Sequence, residues 1–268
     1  MTKRFKPAFA VFFLASLFGL PAGAAEALHL CTDAQPHPPY FYADREGSVQ
    51  LLEKMAAART GIELDYHPEP LRRCLEDLRL NLLNATAAAA VSDTTLPLLV
   101  FPRKGEAIDK QRAIAAGHTV VFRLKGSVAD WDGQAFHSLN TRILVPPGML
   151  LMTNKLDQLS TAYDDGASTL SLIAAKLLAH RGELAIGLEY DVADLMGRDE
   201  FAGKFEVLPA PFTTTEYYLA FSREFYAKHA DQAENMWNAI AATRRSPEFA
   251  AALRRENLPP IDLPQSAK

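Results

Sequence analysis

The sequence predicts an α/β protein of two lobes joined by two extended crossings. Three observations point there: strand and helix patterns alternate in two separate sets, long extended segments at 114–124 and 205–221 follow them, and helical patterns close the chain. Strands that alternate with helices at this spacing imply βαβ units and a mostly parallel sheet. Two extended passages between two such sets imply that the lobes share two strands.

In the first set, an apolar strand at 28–32 leads into a polar, proline-rich loop at 33–47. A helix at 49–60 follows, stopped by Gly61, and then a strand at 62–66. Pro70 opens a second helix over 70–83, because proline is tolerated in a first turn. Its apolar stripe of Leu71, Cys74, Leu75, Leu78 and Leu82 predicts one buried face, and the run 85–91 a buried strand. The first crossing, 114–124, carries Gly117 at its middle.

The second set has a strand at 142–145, the turn Pro146-Pro147-Gly148, helices at 153–158 and 169–180, a strand at 184–188 and a short helix at 191–196. The second crossing, 205–221, contains Pro209 and Pro211 and ends in a clear strand at 217–221. Helices at 223–244 and 247–256 precede a proline-rich tail.

The amino end reads as an export signal, residues 1–25. Lys3, Arg4 and Lys6 precede a largely apolar stretch of thirteen residues, Ala8 to Leu20, then Pro21 and the small residues Ala22 to Ala25. Thirteen residues fall short of the roughly 20 a membrane-spanning helix needs. Cleavage would remove three of the 28 basic residues and none of the 32 acidic ones, leaving 25 against 32 and a net charge of about −7. Nucleic acid and anionic membrane both require a basic face, so neither is expected as a partner. A periplasmic location also makes a disulfide between Cys31 and Cys74 the first hypothesis, the alternative being two buried thiols.

Four blocks resemble bacterial extracellular solute-binding proteins of family 3. They are Cys31-Thr-Asp33-Ala with His37-Pro-Pro-Tyr40-Phe41-Tyr42; Pro70-Leu-Arg-Arg73-Cys-Leu; Gly182-Glu-Leu-Ala-Ile-Gly-Leu-Glu189; and Tyr217-Tyr-Leu-Ala-Phe-Ser with Trp237-Asn-Ala-Ile. The resemblance implies the type 2 periplasmic-binding-protein clamshell, with lobe 1 from 26–117 and 214–268 and lobe 2 from 118–213. It implies capture of a small polar solute between the lobes by a monomer serving the membrane permease of an ABC-type importer of amino acids, or a membrane sensor. It also implies a set of ligand-binding positions: Asp33, Tyr40 and Phe41 in the first loop, Arg73 on the second helix, Gly148 and Met149 at a helix start, and Glu189 as the anchor for a cation.

The departures bear on the ligand. Amino-acid binders of the family place an arginine after the third strand, where its planar fork grips a carboxylate. Here that stretch reads Ser92-Asp-Thr-Thr-Leu-Pro-Leu. Glu189 has the bland alternative of a solvated carboxylate at a helix start. Arg73 has that of pairing with Glu69 or Asp77. A sensor or accessory protein with a degenerate amino-acid site is therefore a second reading, and a dehydratase-like enzyme on the same fold a third. No nucleophile elbow, phosphate loop or zinc spacing is present, so no enzyme and no cofactor is expected. The seven histidines show no His-x-x-x-His pattern, and no metal is expected; His37 and His118 are the two placed near the cleft.

Overall fold

The computed structural model describes residues 27–261 apart from Gln35 and Ala43; the predicted export signal lies outside the described residues. In chain order the elements are β1 (Leu28–Asp33), α1 (Ser48–Thr60), β2 (Leu64–Glu69), α2 (Leu71–Arg79), β3 (Ala85–Ala90), β4 (Leu99–Val100), β5 (Arg103–Lys104), β6 (Ala107–Ile108) and β7 (Ala115–Leu124). They continue with β8 (Asp130–Trp131), β9 (Phe136–His137), β10 (Ile143–Leu144), α3 (Leu150–Gln158), β11 (Tyr163–Asp164), α4 (Leu170–Leu178), β12 (Leu184–Leu188), α5 (Glu189–Gly197), β13 (Phe205–Ser222), α6 (Arg223–Arg244) and α7 (Pro247–Arg255).

The main sheet runs β11-β10-β12-β7-β13-β3-β1-β2, with β4 added beside β13. The outer strands of each lobe pair in parallel, as βαβ crossovers require. The two crossings, β7 and β13, sit at its centre and pair antiparallel from Leu124↔Phe205 to Ala115↔Tyr217. β7 then joins β12 on the lobe 2 side, while β13 joins β3 on the lobe 1 side. The ladder shifts register around Pro211, whose missing N–H cannot donate to it.

Each lobe buries both faces of its part of the sheet. In lobe 1, Leu28 and Leu30 pack with Leu52 and Ala56 of α1 and with Met236 and Trp237 of α6. The buried Trp237 indole donates from Nε1 to the Leu219 carbonyl at 2.7 Å, fixing α6 on β13. The opposite face carries Cys31, Cys74, Leu78 and Tyr218. There the Cys31–Cys74 disulfide ties β1 to α2 across a sequence separation of 43 residues, with Cα atoms 5.7 Å apart. Constraining a loop of that length in the unfolded chain stabilises the fold by about 2–4 kcal/mol. In lobe 2, α4 and α5 cover one face through Ile173, Leu177 and Val192, and α3 covers the other beside Trp131 and Phe212.

Several predicted boundaries move, each for a local reason. Ile62 belongs to the end of α1, not to β2: Gly61 takes φ +69° and the Ile62 N–H closes on the Ala57 carbonyl at 3.1 Å. β2 therefore starts at Leu64 and runs to Glu69, accommodating Pro68 because it is an edge strand. α2 stops at Arg79 and not at Leu83, since Asn81 adopts φ +60°. Its stripe is correspondingly shorter: Cys74 and Leu78 are buried, whereas Leu71 and Leu82 are exposed. α5 begins at Glu189, two residues earlier than expected.

Candidate functional site

The carboxyl ends of parallel strands are where open α/β sheets hold ligands. In lobe 1, β1 ends at Asp33 and releases the proline-aromatic loop. That loop folds back on itself, with His37 N–H donating to the Phe41 carbonyl at 2.9 Å and Phe41 N–H to the His37 carbonyl at 3.0 Å. It then supplies the cap that α1 lacks in its own side chains. Ser48 N–H donates to the Pro39 carbonyl at 2.9 Å, Val49 N–H to the Tyr40 carbonyl at 3.3 Å, and Ser48 Oγ to Pro39 again at 3.2 Å. Gly47 makes this possible, because a β-carbon there would lie 1.9 Å from the Tyr40 carbonyl oxygen. Tyr40 reaches the first crossing, its hydroxyl donating to the Ala116 carbonyl at 3.0 Å. Tyr40, Phe41 and Tyr42 all pack partly onto the lobe 1 core.

On lobe 2, β12 ends and α5 begins without a break. α5 carries Glu189 and Asp191 in its first turn, where helix amides favour negative charge. Tyr190 and Asp191, which follow Glu189, lie near Tyr42 and His37 of the lobe 1 loop, respectively. The Tyr190 phenol is raised above its usual range by desolvation, followed by the repulsion that a neighbouring Tyr42 phenolate would exert. Desolvation likewise raises the Asp191 carboxyl, although the residue as a whole is exposed, while nearby His37 acts in the opposite direction. The Arg45 guanidinium lies 4.1 Å over the Tyr42 ring, and His37 Nε2 is 3.0 Å from Asp33.

The crossings form the floor. Thr119 and Thr213 face each other with hydroxyls 2.6 Å apart, and Thr213 N–H donates to Thr119 Oγ1 at 3.0 Å. His118 Nδ1 lies 3.0 Å from the Thr214 hydroxyl. Gly117 is required by close approach, since a β-carbon would sit 2.8 Å from the Tyr217 ring. Beside this floor, the turn after β3 is braced by Thr95, whose hydroxyl donates to the Ala90 carbonyl at 2.7 Å and accepts from Ser92 N–H at 3.0 Å.

Among the sequence-predicted residues, Asp33 ends β1, and Tyr40 and Phe41 lie in the loop that follows it, both packed partly onto the lobe 1 core. Glu189 is exposed at the first position of α5. Arg73 is 70 % exposed at its side chain, with Nε 3.2 Å from Asp77 and 3.5 Å from Glu69. Gly148 adopts φ +78° at the turn before α3, and the Met149 carbonyl accepts from Met152 and Thr153 at 2.9 and 3.1 Å. Tyr190 and Asp191 were outside the expected set. The run Glu189-Tyr-Asp191 at a strand end holds a signal for them, but only the meeting with Tyr42 and His37 reveals which side chains face lobe 1.

Neither a protein-family model nor a curated protein sequence matches the chain. Solved structures do. A histidine kinase sensor domain similar to periplasmic binding proteins aligns at TM-score 0.62 and 11 % identity, over 90 % of this chain and 99 % of that one. The GluR0 ligand-binding core of Nostoc punctiforme, in complex with L-glutamate, aligns at 0.59 and 13 %, over 85 % and 98 %. A Salmonella typhimurium periplasmic binding protein of high arginine specificity aligns at 0.57 and 13 %, over 86 % and 99 %. At these identities the likeness speaks to architecture, and the chain has the two-lobed α/β fold of the type 2 periplasmic binding proteins.

Proposed function

We propose that the mature protein captures a small polar solute bearing a positive charge between lobe 1 (26–117 with 214–268) and lobe 2 (118–213). The carrying observation is the meeting of the His37–Tyr42 loop with the first turn of α5 above the paired crossings. Tyr190 and Asp191 near Tyr42 and His37, with Glu189 in the same helix turn, support a cleft that joins aromatic rings to carboxylates. Aromatic faces and carboxylates together suit an ammonium or guanidinium group. Tyr40 and Phe41 would wall the solute, and the α3 start at Gly148 and Met149 would offer backbone donors to any anionic part. Asp33 and Arg73 are the remaining polar candidates at the lobe 1 rim. The chain would act after export by residues 1–25, as a monomer in the periplasm. No helix among the described residues is long and apolar enough to cross a membrane.

An ABC-type permease is the partner that a capture protein would feed. Ser92–Leu98 without an arginine supports a second reading, in which the closed form signals to a membrane sensor.

A thermal-shift screen of amines, amino acids, organic acids and short peptides tests the proposal. A solute at a hundred times its dissociation constant adds about 2.7 kcal/mol, a rise of roughly 5–11 °C for a chain of this size. Amine-bearing or guanidinium solutes are expected to produce it, and Glu189→Ala or Asp191→Asn to weaken binding about tenfold or more. Selective stabilisation by organic acids would overturn the cation assignment, and no shift with any class would overturn solute capture.

A further inference from the structure

The parallel register of β1 and β2 sets His29 opposite Asp65 and Cys31 opposite His67. Alternation along the strands then puts His29, Asp65 and His67 on one face, which Cys31 and its disulfide to Cys74 also occupy. Three donor atoms converge there. His29 Nδ1 lies 2.8 Å from Asp65 Oδ2, His67 Nε2 lies 3.0 Å from the same oxygen, and the two ring nitrogens are 3.4 Å apart. A tetrahedral ion bonded at about 2.0–2.1 Å holds its ligand atoms about 3.3 Å apart, so movements of a few tenths of an ångström would complete such a face. The side chains are 44 %, 49 % and 44 % exposed, leaving a fourth position open to water.

We infer that His29, Asp65 and His67 form a binding site for a divalent transition-metal ion of the zinc or copper class. Two imidazoles and one carboxylate match the ligand preferences of these ions. The two ring nitrogens face one carboxylate oxygen and each other, and a divalent ion among them would be bound by all three atoms. Two features hold the ligands in position. His29 N–H donates to Asn84 Oδ1 at 2.8 Å, and the disulfide anchors Cys31, the register partner of His67. The site lies two to four strand residues, roughly 7–13 Å, before the carboxyl ends of β1 and β2, and is therefore set back from the solute cleft. Its ligands are 36 and 38 positions apart in sequence, which is why no local histidine spacing announced them.

The test is calorimetric titration of the tag-free mature protein, stripped with chelator, using zinc chloride and separately cupric chloride. One ion per chain is expected, with micromolar or tighter affinity. His67→Ala and His29→Ala should each weaken it tenfold or more, and so should Asp65→Asn, which preserves side-chain shape. His180→Ala and His229→Ala, placed elsewhere, should leave it unchanged. Circular-dichroism melting of each variant without metal checks that the fold persists. Absence of binding at millimolar ion overturns the assignment. So does affinity unaltered in His67→Ala and Asp65→Asn, or lowered equally by His229→Ala, which would mark dispersed surface uptake.

Discussion

Gly47→Ala is expected to lower stability by about 3 kcal/mol and to displace the cleft loop, because the new β-carbon would occupy the position of the Tyr40 carbonyl oxygen, 1.9 Å away. The contact is backbone against backbone, so no side-chain rotation relieves it. The loop has to lift, and the Pro39 and Tyr40 carbonyls then leave the first amides of α1. At 2–4 °C per kcal/mol the melting temperature should fall roughly 6–12 °C, read by circular dichroism. Solute binding should weaken as well, since the same loop carries Tyr40, Phe41 and Tyr42. A melting temperature within a degree of wild type would mean that the loop does not rest on Gly47.

The second large effect concerns Glu53, fully buried in α1. Its Oε2 accepts from the Tyr66 hydroxyl at 2.9 Å, while Oε1 has no partner among the described residues. Burial pushes the carboxyl up to about 8 against an ordinary 4.5, with the Tyr66 hydrogen bond opposing in part. The folded chain therefore holds this proton where the unfolded chain releases it. The stabilising contribution is complete below about pH 4.5 and is lost as pH rises through about 8, at up to about 1.4 kcal/mol per pH unit. Glu53→Gln keeps the shape and cannot ionise. Its urea-unfolding stability, compared with wild type at pH 5.5, 7 and 8.5, should gain progressively by a few kcal/mol across the series. Parallel pH curves for the two proteins would contradict a protonated, buried Glu53.

The features legible in the sequence were those set by local chemistry. Gly61 marked the end of α1, the apolar runs marked β3 and β12, and the two crossings emerged as extended segments flanked by complete α/β sets. Boundaries failed where a backbone conformation intervened, as at Asn81, which ends α2 four residues early and leaves Leu82 in solvent. The second crossing, expected as one extended segment at 205–221 despite Pro209 and Pro211, is the strand β13 from Phe205 to Ser222, where irregularities in the ladder absorb the missing donor. At the candidate site, the proline-aromatic loop and Glu189 could be proposed from their blocks. Asp191, Tyr190 and the His29, Asp65, His67 cluster could not, because each acquires its partner through tertiary pairing between distant segments. Sequence spacing alone leaves Cys31 and Cys74 either bonded or free, whereas the packing of α2 on β1 brings them to bonding range.

Small-angle X-ray scattering on the mature protein, with and without a saturating concentration of the solute found by thermal shift, tests capture between the lobes most directly. A clamshell that brings Tyr190 near the Tyr42 loop should contract when solute is added, its scattering converging on the profile of this structure. A profile left wider than that of this structure in the presence of bound solute would contradict closure of the two lobes around it.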